Sequence, residues 1–219
     1  MAWHPSLDFF TMQHSLTRPA AMAVALLLGS ALASSAFAQS ATTPERVRGT
    51  IESIDDTTLT VKSREGSSVA ITLKPDYKIA GIAKASIADI KTGDFVGVAS
   101  IPGSAGGDNA VEVLIFPAAM AGTGEGSYPW DLEPNSTMTN ATVSNKVENA
   151  DGRKLTLTYP TGEKTIALPE GIPVVTFADA TKADLTTGAA VFVPGQKAAD
   201  GTITTGTVVV GNQGVVPPM

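Results

Sequence analysis

Three blocks of this chain occur twice, in the same order, and that repetition limits its fold more than any other feature. The run L-T-V-K-S-R-E-G-S at 59–67 returns as L-T-L-T-Y-P-T-G-E at 155–163, and I-T-L-K-P at 71–75 returns as I-A-L-P-E at 166–170. S-I-A-D-I-K-T-G-D-F-V-G-V at 86–98 returns as T-K-A-D-L-T-T-G-A-A-V-F-V at 181–193, with one residue deleted along the way. The chain is two versions of one unit. The versions differ at a strand start, where Asp94 and Phe95 are answered by Ala189 and Ala190.

Within each unit the periodicity is that of short strands. V-R-G-T-I-E-S-I at 47–54, T-L-T-V-K-S at 58–63 and S-V-A-I-T-L at 68–73 alternate apolar with charged or hydroxyl residues, the pattern of half-buried strands. Asp55-Asp56, Glu65-Gly66, Asp151-Gly152 and Thr161-Gly162 stand between them as hairpin turns. Ser86 with Asp89, and Thr181 with Asp184, have the spacing of a capped helical turn, which Gly93 and Gly188 end by a left-handed swing. Apolar strands follow at 95–101 and 190–193. A last hairpin, S-A-G-G-D-N or K-A-A-D-G-T, leads into strands at 110–116 or 203–210.

Three strands, a helical turn and two strands is the element order of an OB-like five-stranded barrel. The expected class is therefore all-β: two tandem OB-like barrels at 46–117 and 139–213, joined by a Gly/Pro/acidic linker at 118–138 and followed by a tail at 214–219. Each unit is small enough to be marginal alone, so the two should pack together. The alternation equally allows one larger barrel or sandwich built from both halves.

The D-I-K-T-G-D-F-V and D-L-T-T-G-A-A-V turns carry a D-L-x-x-G-x-x-V type of pattern. In this, and over both halves, the chain resembles a group of exported bacterial proteins with tandem OB-like β-barrel domains of unknown function. G-E-G-x-x-P-W-D and S-T-M-T-N-A-T-V are similar to linker motifs of that group. The resemblance implies an OB-like fold and export, and it carries no catalytic residues over to this chain.

The first 38 residues read as a signal peptide, with His14 and Arg18 before an apolar run at 20–28 and Ala36-Phe37-Ala38 ahead of the cut; Met12 is an alternative start. Both histidines, His4 and His14, leave with it, and the chain has no cysteine. The exported part therefore lacks the side chains for Ser-His-Asp or Cys-His catalysis and for His/Cys zinc sites. Asp8 and Arg18 cancel, so removing the leader keeps the net charge at −6. That balance and the want of a basic stripe oppose nucleic-acid binding. No later segment is apolar for long enough to be a transmembrane helix, so a periplasmic or secreted location is expected.

Residues 118–138 hold Glu125, Asp131 and Glu133 with no Lys or Arg, and also Tyr128 and Trp130. A tether needs no tryptophan. Trp130 and Tyr128 either pack into the seam between the barrels with the acids in solvent, or Glu125, Asp131 and Glu133 converge beside Trp130 to bind a cation, a sugar or a partner. Asp55-Asp56 and Asp108-Asn109 read as turn residues rather than metal ligands, and Gly106-Gly107 lacks the Lys-Ser/Thr of a phosphate loop. No cofactor is expected. The first functional reading is a non-enzymatic exported binding or scaffold protein, its partner an envelope protein or a small ligand. The second is a cation-binding accessory or carboxylate-based enzyme using the linker acids, and the third is self-association through open strand edges.

Overall fold

The computed structural model describes residues 42–104, 106–149 and 152–217, which fall within one compact unit. The expected signal peptide and its cleavage point lie outside the described residues. The first unit supplies β1 (Thr43–Ile54), β2 (Thr58–Ser63), β3 (Ser68–Lys84), β4 (Phe95–Pro102) and β5 (Asp108–Ile115). The linker contributes β6 (Gly126–Pro129). The second unit gives β7 (Thr137–Asn149), β8 (Gly152–Tyr159), β9 (Gly162–Ala167), β10 (Val174–Ala178), β11 (Ala190–Lys197) and β12 (Ile203–Gly211). The all-β expectation holds.

A closed five-stranded barrel is present, but its strands come from both halves. β1 pairs β2, β2 pairs β3, β3 runs parallel to β12, β12 pairs β11, and β11 returns to β1. The other strands follow the same circular order. β7, β8 and β9 pair in sequence, β9 meets β5 in a short parallel ladder at Asp108 and Asn109, β5 pairs β4, and β4 returns to β7. The expectation that residues 46–117 and 139–213 each close a barrel of their own is corrected: each unit lends its last two strands to the other's first three.

Strand length explains the exchange. β3 is 17 residues long and spans roughly 55 Å at about 3.3 Å per residue, far more than one small barrel needs. Its first half pairs with β2 and its end pairs antiparallel with β10, while β12 runs parallel beside both halves. The chain therefore leaves β3 beside the opposite ring and enters β4 there. In the β3–β10 ladder Ile82 stands opposite Phe177, and these are equivalent positions of the two repeats. A pseudo-two-fold axis passes through that pair.

Each ring has its own core, and Ile82, Leu114, Val175, Phe192 and Val209 form a third cluster between them. The repeated turn travels with the exchanged strands. Ser86 and Thr181 each hydrogen-bond through N–H and hydroxyl to the carboxylate of Asp89 or Asp184, giving single 3-10 turns at 87–89 and 182–184. Ile90 and Leu185 just after these turns are buried in the second and first rings respectively. Gly93 and Gly188 have the expected left-handed φ of 95° and 85°.

Candidate functional site

The linker is built onto the protein rather than strung between parts of it. β6 pairs along Thr137–Asn140 of β7, and Trp130 N–H donates to the Ser136 carbonyl, whose side chain donates back to the Trp130 carbonyl. Pro129 and Pro134 stiffen either side of this loop. Tyr128 and Trp130 are half-buried and meet edge to face at 6.0 Å, and Asn140 Nδ2 donates to the Tyr128 hydroxyl at 3.1 Å. Burial pushes the Tyr128 phenol above its ordinary value, against the opposing charge of Arg46.

Two arginines from β1 close on this loop. The Arg46 guanidinium lies 4.1 Å from the Trp130 ring centre, and Arg48 is held between Trp130 and Phe192 at 5.8 and 5.1 Å. Arg48 Nη2 donates to Asp131 Oδ1 at 2.8 Å, Arg46 is 3.7 Å from Asp131 Oδ2, and Arg64 donates to the Asp131 carbonyl at 3.0 Å. Desolvation opposes ionisation of Asp131, but the Arg48 hydrogen bond and the charges of Arg48 and Arg46 outweigh it and hold the carboxyl below its ordinary value. Glu125 and Glu133 are exposed, and no group of three or more acids poised for a metal occurs among the described residues. The structure thus joins Tyr128, Trp130 and Asp131 into one clamp and leaves Glu125 and Glu133 outside it.

The other candidates are structural. Asp55 Oδ1 accepts the N–H groups of Thr57 and Thr58, as a turn aspartate does, and Asp108 pairs with Lys164 at 2.9 Å beside the closure of the second ring.

Arg48, which the clamp holds, also lines a cleft of about 690 Å³ at the seam of the two rings, within the usual range for small-ligand sites. Arg48, Lys62 and Arg64 come from the β1–β2 side, Lys84 from the end of β3, Glu112 from β5 and Leu132 from the linker. Apolar surface comes from Ile172–Val175 and from the chain end at Val215–Pro217, where Val216 is 71% exposed. Gly211 admits that chain end, because a Cβ there would collide with the Val215 carbonyl.

The pseudo-symmetry supplies an internal comparison. Ladder registers equate Arg48 with Asn140, and the repeat equates Lys62, Arg64 and Lys84 with Thr158, Pro160 and Asp179. Ala190, which lines the cleft, is equivalent to Phe95, a buried ring packed 5.3 Å from Phe116. At one of these two equivalent places a buried phenyl ring fills the space, and none of the four cations has a cationic counterpart. The other is hollow and cationic. Sequence reading missed this site, although the unequal cations at 62 and 158, 64 and 160, and 84 and 179 were its signal.

No protein-family model, curated protein or solved structure matches this chain. Fold and site geometry alone carry the functional reading.

Proposed function

We propose that the protein is a non-enzymatic binding protein of the bacterial envelope, periplasmic or secreted, whose ligand seats in the seam cleft. The hollow at Ala190 carries this reading: the same fold fills the equivalent place with Phe95, so packing alone does not require it to be open. The architecture is read as two OB-like barrels that have exchanged their last two strands, supported by the parallel closure of third against fifth strand in both rings. The clamp holds Arg48, which lines the cleft, and its aspartate is committed to arginines rather than offered to a cation.

Ala190→Phe tests the reading, since the fold already accommodates phenylalanine at the equivalent position. A diverse panel of small molecules is screened by thermal unfolding of the wild type and the variant. A native-state ligand at 100 times its Kd adds about 2.7 kcal/mol, a clear midpoint shift. Binding lost in Ala190→Phe at unchanged basal stability supports the cleft. Ligands that bind both proteins equally, or a panel with no binder, count against it.

A further inference from the structure

Resting on that binding reading, we infer that the cleft takes an amphipathic anion: a hydrocarbon chain along the apolar lining with its anionic head at the lysines. The charge contrast is the first argument. The protein is acidic overall, at −6, yet Arg48, Lys62, Arg64 and Lys84 line one cleft against a single acid, Glu112. A concave, low-dielectric wall of one sign concentrates the opposite ion. The second argument is what the cations already do. Arg48 is already paired with Asp131 and Arg64 with Glu65, whereas Lys62 and Lys84 are exposed and make no ion pair among the described residues.

Much of the remaining lining is apolar, through Leu132, Ile172, Val174 and the exposed Val216. Leaving such surface open to water is unfavourable, and a hydrocarbon chain would cover it. The equivalent seam around Phe95 has Thr158, Pro160 and Asp179 in place of the cations, so any preference for an anion belongs to one seam only.

The test is calorimetric titration of the purified protein with decanoate, butyrate, decanol, decyltrimethylammonium and decyl phosphate. Decanoate and decyl phosphate should each bind at least about tenfold more tightly than butyrate, decanol and decyltrimethylammonium, and the margin over decanol and decyltrimethylammonium should shrink as salt rises. Lys62→Gln with Lys84→Gln should bring decanoate down to the affinity of decanol, and Ala190→Phe should abolish its binding. Decanol or decyltrimethylammonium binding as tightly as decanoate would overturn the anion assignment while leaving the binding reading intact. Decyl phosphate failing to bind where decanoate does would overturn the assignment to an anionic head in general, and undiminished decanoate binding to Ala190→Phe would overturn the location. A series with no binder overturns the inference outright, and the broad panel then decides the binding reading separately. Circular dichroism establishes that each variant is folded, and the lysines, being exposed, can be exchanged one at a time.

Discussion

Asp131 shows how one side chain ties a linker to the body of the protein. Its carboxylate meets Arg48 and Arg46 while its backbone carbonyl takes Arg64, so three cations from the first unit are gathered by one residue. Because the carboxylate is about half exposed, solvent screens the pairs, and Asp131→Asn should cost no more than about 1 kcal/mol in thermal unfolding while shifting Trp130 fluorescence. The pH dependence follows from the lowered pKa. Stabilisation by Asp131 is complete above the ordinary carboxylate value of about 3.9 and is lost as pH falls through the lower folded value. Trp130 emission should therefore hold through mild acid and change only in strong acid; a change centred above the ordinary carboxylate value would contradict the assignment. Trp130 itself is held by the face of its ring, since its buried Nε1 meets no acceptor among the described residues.

At the scale of elements, close approaches fix where strands lie. Gly49 sits where β1 meets β2, and a Cβ there would run into the Lys62 carbonyl. Gly49→Ala should separate these strands at the cleft edge and lower the unfolding midpoint. Gly211→Ala should instead displace the chain end at Val215–Pro217, which faster proteolysis of that end would reveal at little cost to the barrel. Leu185, buried at 4% exposure, plugs the first ring from the turn that precedes β11, and Leu185→Ala should cost about 2–5 kcal/mol by chemical denaturation. The strands themselves were legible in the sequence because alternation and turn residues act locally: 58–63 is matched residue for residue by β2. The second half of β3, together with β6 and β10, was not. Those segments pair through contacts far along the chain, and K-P-D-Y-K-I-A-G lacks a clean alternation.

Over the whole molecule, exchange of the last two strands makes the repeats interdependent. Residues 46–117 and 139–213 expressed apart should each fail to fold as a monomer, and mixing them should restore strand structure in a complex of both, measured by circular dichroism and gel filtration. Cooperative folding of either half alone as a monomer would contradict the exchange as a requirement for stability. The repeat, the strand alternation, the capped turns and the left-handed glycines were determined by the sequence itself, because each depends on neighbours within a few residues. Which pair of final strands joins which trio was left to the tertiary structure. Both copies carry the same pattern, so either pairing satisfies it, and only the reach of β3 selects one. The cleft was decided there too: unequal cations in two aligned copies are visible in sequence, but their meeting around the hollow at Ala190 arises only when the exchanged rings pack.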